Sequence, residues 1–445
     1  MTMLMHSVLV IVVIALVFAI AKKCKVCTEL TLLLATLGAL IAHVLLPMGE
    51  DPRSALPFTE AIRHLVEGTF TYFDVCLTFL TATFFMTLYK EAGGVNYLVR
   101  TIVGRFYKKR VLLLLLLMVV MMVPGAVTGS GATTVLTVGG LVGAVLATMG
   151  VNEDRRVALV FMLAAMSAAC PPINLWAMMA AAGANMPFVG FTMPLLILSV
   201  AGALFATFYL TRGTRCDSDT ADVLATLPEA PKGWNAVRAF VPFVVMFILI
   251  VGARVIPAYW PVFGMPMIFM ISGAAVLLCS PKKVNVMEVA LTTVKNLKEL
   301  VGIMMVVSIL NQIMTLTGAR GLLSLAVVVL PIWLLFGALW IILPVSEGVL
   351  QYAVAPLFGV PLIMLFNMLG YNPIIALSCW AVMWPVGDCL PPTAVVGRAA
   401  TLEMNYKGNY YKGFVKNALV PMLFVLALCT VAMIFNKPFG SLLGV

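Results

Sequence analysis

The stretch Pro124-Gly-Ala-Val-Thr-Gly-Ser-Gly-Ala-Thr-Thr134, an apolar run to Gly150-Val-Asn152 and another to Cys170-Pro-Pro-Ile-Asn174 form a pattern that the chain repeats. The second statement opens at Pro344-Val-Ser-Glu-Gly348, is punctuated by Gly370-Tyr-Asn372 and closes at Asp388-Cys-Leu-Pro-Pro-Thr393. Pro124 and Pro344, Gly150 and Gly370, Asn152 and Asn372, and the proline pairs at 171–172 and 391–392 all lie 220 residues apart. Upstream, Met86-Thr-Leu88 with Gly93 matches Met314-Thr-Leu316 with Gly321 at a spacing of 228. Similarity held at a fixed spacing indicates an internal duplication. Residues 1–210 form the first repeat, 211–235 a linker and 236–445 the second repeat.

Composition excludes a soluble globule. Of the 445 residues 62% are hydrophobic and only 10% charged, with a mean hydropathy of +1.09, against about a quarter charged in ordinary soluble chains. The net charge of +10 is carried by basic residues that flank apolar spans, so it reports membrane topology and not nucleic-acid binding. The nine cysteines lie mostly inside apolar segments, where a thiol acts as a small hydrophobe. Cys24 and Cys27 form a lone CxxC, a weak metal signal without further ligands nearby.

Spans need about 20 apolar residues. Clean candidates run over 3–21, 29–48, 69–89, 191–210, 236–256, 260–280, 300–317 and 414–435. Lys22, Lys23 and Lys25 follow the first span, as expected of an uncleaved anchor that starts outside. Segments at about 155–185 and 373–403 are apolar but interrupted by the proline pairs, which break helices. Those at about 110–149 and 322–369 are too long for one crossing and interrupted midway, which predicts re-entrant hairpins. The order of three spans, hairpin, broken helix and span gives five crossings per half, and an odd count inverts the second half. With the N-terminus outside, 23 of the 28 Lys and Arg fall inside, leaving Arg53, Arg63, Arg254, Arg320 and Lys437 outside, as the positive-inside rule requires. Residues 282–299 and Leu56 to Glu67 read as amphipathic helices at the interface. The expected fold is therefore an all-α membrane protein of two inverted repeats.

Irregular backbone at membrane depth is tolerated only where it lines a cavity or is buried in protein. Four symmetric interruptions point to one site, where helix ends offer carbonyl oxygens to cations and positive termini to an anion. Candidate substrate ligands are Thr128, Ser130, Gly131, Thr133, Asn174, Glu347, Gly348 and Thr393. Candidate sodium ligands are Gly129, Ser130, Thr134, Cys170, Pro171, Glu347, Asp388 and Pro391. Intramembrane carboxylates are costly and commonly functional, which singles out Glu347 at the second apex and Asp388 just before the second proline pair. Both can hold sodium or, once protonated, carry a proton. A third, Asp74, fits a helix–helix hydrogen bond equally well. Pro172 and Pro392 suit the first turn of the helix that follows each break.

Two rival readings remain at this point. Tyr72-Phe-Asp74 and Val386-Gly-Asp388 superficially match the paired motifs of intramembrane aspartyl proteases, but the Pro-Ala-Leu motif expected after the second aspartate is absent. A subunit of a larger antiporter-like complex would carry lysines buried within its helices, and the sequence places none there. No nucleotide-binding loop is present, and neither an enzyme nor an organic cofactor is expected.

Gly129-Ser-Gly131, Pro171-Pro172, Glu347 and Leu390-Pro-Pro-Thr-Ala-Val-Val-Gly397 together resemble the large membrane subunit of tripartite ATP-independent periplasmic (TRAP) transporters, within the ion transporter superfamily. The resemblance covers about residues 70–435. It implies a scaffold and a mobile transport domain working as an elevator, sodium as coupling ion, and import of an organic anion across the bacterial inner membrane. The termini are then periplasmic. It also implies two partners, a periplasmic substrate-binding protein and a small four-helix membrane subunit. The chain departs from the family's pattern in its Gly-Ser-Gly apex, in Asn174 where a serine is usual, and in the added charge of Asp388. A proton-coupled carrier of organic anions working without a binding protein is the alternative.

Overall fold

Helices account for the fold because nearly every long segment of the chain is apolar and a helix alone satisfies its own backbone in lipid. The computed structural model describes residues 3–46, 58–256, 259–261, 263–322, 331–391 and 393–445. Pro392, Arg53 and residues 56 and 57 of the expected outer amphipathic helix lie outside these. Among the described residues there is no strand, and ten helices are long and apolar enough to cross a membrane. The chain is a multi-pass membrane protein.

The first half runs α1 (Met3–Lys23), α2 (Thr28–Leu45), α3 (Phe58–Phe70), α4 (Phe73–Glu91), α5 (Gly94–Phe106), α6 (Arg110–Thr128), α7 (Gly131–Thr134), α8 (Gly140–Thr148), α9 (Glu153–Ala169), α10 (Leu175–Gly183) and α11 (Thr192–Leu210). After α12 (Thr220–Ala225) in the linker come α13 (Ala236–Val255), α14 (Met265–Cys279), α15 (Val286–Leu316), α16 (Ile332–Leu350), α17 (Val360–Met368), α18 (Pro373–Met383), α19 (Val395–Glu403), α20 (Lys416–Ile434) and α21 (Asn436–Leu443).

The spacing of 220 reappears in local structure. A π-helical turn spans Val135–Gly139 in one half and Ala355–Gly359 in the other, each leading directly into a nine-residue helix, α8 or α17. Both helices end at a left-handed glycine, Gly150 and Gly370, the conformation that stops a helix most cheaply. Two residues on, Asn152 and Asn372 cap α9 and α18 through their side-chain oxygens, the usual device for satisfying a free helix N-terminus.

Two hairpins result, and they open at opposite ends of the molecule. In the first, α6 goes in and α7–α8 comes back, and the Tyr107 hydroxyl donates to the Thr148 carbonyl at 3.2 Å across its base. That base adjoins Glu153 and Asp154, which accept from the Lys407 amide and the Tyr406 hydroxyl just before α20 begins. In the second, the base adjoins Asn372, whose amide and carbonyl pair with the Asn436 side chain just after α20 ends. Nineteen residues of α20, about 28 Å of helix, separate the two bases.

Burial grades from periphery to centre. Every residue of α9 from Val157 to Ala169 is buried, as is every residue of α18 from Ile375 to Met383, so the two broken helices form the centre of the fold. On α13, by contrast, Val237, Phe240 and Phe247 are exposed, a face that lipid and not water would solvate. A separate smaller core joins α1, α2, α3 and α15 through Val10, Leu32, Ala39, Val307 and Leu310. There Gly68 lets α3 lie against α15: a Cβ at this position would come within 2.9 Å of the Ile309 Cα, and Ser308 donates to the Gly68 carbonyl.

Three expectations are corrected. Residues 282–299 do not form a separate interfacial helix; from Val286 onward they are the first half of α15, which runs unbroken for 31 residues. No proline or cap falls between the polar and apolar parts, and extending an existing helix needs no new nucleus. The expected span 69–89 is instead divided at Thr71–Tyr72 between α3 and α4, which puts Asp74 in the exposed first turn of α4, where a carboxylate favours the helix N-terminus. The expected span 260–280 shortens to α14, which begins only after Gly264 with Pro266 in its first turn.

Candidate functional site

The apex of the first hairpin is a single tight turn. Gly129 adopts φ +71°, a conformation costly for residues with a Cβ, and a Cβ there would also sit 2.7 Å from the Leu175 Cγ. Thr128 donates to the Pro124 carbonyl at 2.8 Å and accepts the Ser130 amide, while Ser130 caps α7 by accepting the Thr133 amide. Thr134 and Ser167 share a 2.8 Å hydrogen bond that ties the apex to α9. Gly131 lies against the Ala164 carbonyl and Val396.

The second apex falls later than expected. Pro344 through Gly348 stays helical inside α16, and the chain turns at Gln351, φ +54°. An internal proline removes one backbone bond, which α16 tolerates here as α6 tolerates Pro124. Glu347 thus projects from the last turn of a helix. The Gly348 carbonyl accepts both the amide and the hydroxyl of Thr393, at 3.1 and 2.8 Å, so this apex is bound to the second break as the first is bound to the first, where the Ile173 amide donates to the Ala126 carbonyl at 3.0 Å.

The breaks differ from the proline-first picture. Cys170-Pro171-Pro172-Ile173 is a non-helical bend, with a cis bond between the prolines, and Asn174, not Pro172, caps the next helix. Its side-chain oxygen accepts the Ala177 amide at 2.8 Å and its nitrogen donates to the Ala169 carbonyl at 2.9 Å, so one buried side chain joins both sides of the break. In the second break a 3-10 turn, Trp384–Gly387, precedes Asp388, and Ala394 at φ +46° leads into α19.

All four interruptions meet. The Tyr352 hydroxyl reaches the Gly129 carbonyl at 3.5 Å, and the Tyr352 ring lies 4.6 Å from that of Trp176 in the helix after the first break. The Trp176 indole N–H in turn donates to the Glu347 Oε2 at 2.8 Å. Beside them is a cavity of about 950 Å³. Its walls include Ser130, Thr133 and Thr137 from the first hairpin, Gln351 and Tyr352 from the second, and Asp388 from the second break. Opposite are Phe79, Thr83 and Thr87 of α4 and Ile303 of α15. Lys22, Glu29, Lys90 and Glu91 line it toward the end of the molecule that carries the linker, where Trp234 donates to the Ala92 carbonyl.

Of the candidate residues, Ser130, Thr133 and Asp388 line this cavity, and Glu347 lies behind it, fully buried. Thr128, Gly129, Gly131, Thr134, Gly348 and Thr393 shape and tie the apices. Asn174 and Cys170 are buried in the first break away from the cavity wall, and Pro391 is exposed. Neither Glu347 nor Asp388 has an ion-pair partner among the described residues. Asp74 is not brought to them: it is exposed while Asp388 is buried, so no aspartate dyad forms. Trp176, Tyr352 and Gln351 escaped the sequence reading, since an aromatic residue in an apolar helix carries no local sign of its partner.

The fold is that of solved membrane transporters. The Alcanivorax borkumensis YdaH transporter superposes with a TM-score of 0.63 at 13% identity, over 92% of this chain and 98% of that one. Neisseria gonorrhoeae MtrF, described with a class of antimetabolite efflux pumps, superposes with a TM-score of 0.58 at 11% identity, over 91% of this chain and 94% of that one. No family model matches the sequence, and no curated protein matches it.

Proposed function

We propose that the chain is a secondary active transporter that imports an organic anion, a carboxylate, driven by sodium moving down its gradient. The observation that carries this reading is the meeting of interruptions from both halves at one cavity beside two buried carboxylates without a basic partner. Carboxylates held this way attract a cation, because an uncompensated buried charge is costly. The apical hydroxyls and the positive helix ends at the interruptions suit an anionic solute. Ser130, Thr133 and Gln351 are its contacts in this reading, and Glu347 and Asp388 are the seat of the cation.

The same reading takes the two halves as inverted repeats, and the opposite opening of the hairpins supports it. α1, α2, α3 and α15, with their own small core, then form part of a scaffold past which hairpins and broken helices move as an elevator. With both termini periplasmic in the bacterial inner membrane, the cavity is open to the cytoplasm. In the TRAP arrangement a periplasmic binding protein and a small four-helix subunit complete the system.

The test is uptake of radiolabelled organic acids into proteoliposomes with and without an imposed sodium gradient. Sodium-driven accumulation supports the reading. A proton gradient that drives uptake equally well favours the second reading, proton coupling through the two carboxylates, which the Glu347 Oε1, without a hydrogen-bond partner among the described residues, recommends. Transport out of the cytoplasmic side alone would align the chain with efflux, the role described for MtrF.

A further inference from the structure

We infer that Trp176 is a positioning residue for Glu347, fixing which oxygen of that carboxylate is open to the coupling cation and thereby setting the cation affinity. The inference rests on the proposed role of Glu347 in coupling.

Glu347 is fully buried, and its two oxygens are unequal. Oε2 accepts the Trp176 indole N–H at 2.8 Å, whereas Oε1 is buried with no hydrogen-bond partner among the described residues. A buried carboxylate oxygen without a donor is costly, and a site that binds a cation is the situation in which that cost is removed. The indole has one donor and no acceptor, so it can hold the carboxylate but cannot compete with it for a cation. Its orientation is fixed in turn, because the ring packs against Tyr352 with centroids 4.6 Å apart and Trp176 itself is fully buried in the first turn of α10, two residues after the Asn174 cap.

The pair also joins the two halves. Glu347 belongs to the second hairpin and Trp176 to the first broken helix, while the Tyr352 hydroxyl continues the contact to the Gly129 carbonyl at the first apex. Occupation of Glu347 by a cation is therefore felt, through one hydrogen bond and one ring contact, at the apex whose Ser130 and Thr133 face the cavity. A leucine or phenylalanine at this position would pack but would leave Glu347 with neither oxygen held.

The experiment compares wild type, W176F, E347Q and the double variant, each checked for a monodisperse elution profile. It reads the sodium concentration that half-saturates both uptake and the sodium-dependent rise in melting temperature. W176F should raise that concentration about tenfold or more, the size of one hydrogen bond to a charged group. The substrate KM at saturating sodium should move less than about threefold. In the E347Q background W176F should have no further effect on the residual sodium response, because the residue acts only through the carboxylate. W176H, which keeps a ring N–H, should recover part of the loss.

Half-saturation within twofold of wild type in W176F, or an equal loss with and without Glu347, overturns the assignment. Should W176F fail to fold, wild type and E347Q decide: sodium changes tryptophan emission in the wild type and leaves E347Q unaltered, and no change in the wild type overturns it. A wild type whose uptake ignores both sodium and proton gradients instead removes the coupling reading itself, and this role with it.

Discussion

Asn174→Ala separates a structural role from a substrate-binding one. The side chain makes two buried hydrogen bonds, accepting from the Ala177 amide at 2.8 Å and donating to the Ala169 carbonyl at 2.9 Å. Alanine leaves both backbone groups buried and unpaired beside a break that already lacks helical bonds. At roughly 1–3 kcal/mol for each of the two stranded groups, the loss comes to about 2–6 kcal/mol. For a chain of this length the unfolding entropy converts that to a fall in melting temperature of at least about 2 °C. The measurement is thermal unfolding in detergent, paired with substrate KM in proteoliposomes. N174D keeps the accepting oxygen and loses the donor to Ala169, so it should fall between. If N174A melts within 1 °C of wild type while KM rises about tenfold, the side chain is a substrate ligand and the stitching argument is wrong.

Four further outcomes are expected. G129A should cost more than G150A in the same melting assay, about 2–3 kcal/mol against about 1: both glycines are left-handed, but only Gly129 has a neighbour in the way, Leu175 at 2.7 Å. Thr393→Val removes the 2.8 Å hydroxyl bond to the Gly348 carbonyl but keeps the amide bond, so it should cost only about 1 kcal/mol; a loss above about 3 would assign the hydroxyl a second partner. The Lys90 ammonium donates to the Leu136 carbonyl at 2.7 Å, linking α4 to the first hairpin, and in K90M the alkylation rate of S130C from the linker side should fall about threefold, a difference of well under 1 kcal/mol; an unchanged rate shows the bond does not hold the cavity open. Cys24 and Cys27 are exposed and should react with a membrane-impermeant maleimide only from the cytoplasmic face, so labelling from the periplasmic face would reverse the topology.

Much of the architecture was legible because its devices are local. Gly150-Val-Asn152 and Gly370-Tyr-Asn372 announce a helix stop and the cap of the next, and the structure places a left-handed glycine and a capping asparagine at both. The proline pairs mark where helices break. What misled was the range over which a signal acts: Pro344 looked like a turn, yet α16 runs six residues past it, and the Lys-containing stretch before Leu300 looked like a separate helix, yet α15 passes through it. One proline or one polar turn is outweighed by packing on either side.

Hydrophobicity by itself determined a membrane protein, repeat spacing and charge asymmetry pointed to two related halves, and the sequence set Glu347 and Asp388 apart as carboxylates at the interruptions. Only the tertiary structure decided which groups those carboxylates meet. Trp176 stands 171 residues from Glu347, and Tyr352 stands 223 from Gly129. Such partners carry no periodicity and no local propensity, because they are fixed by how four separate interruptions pack together.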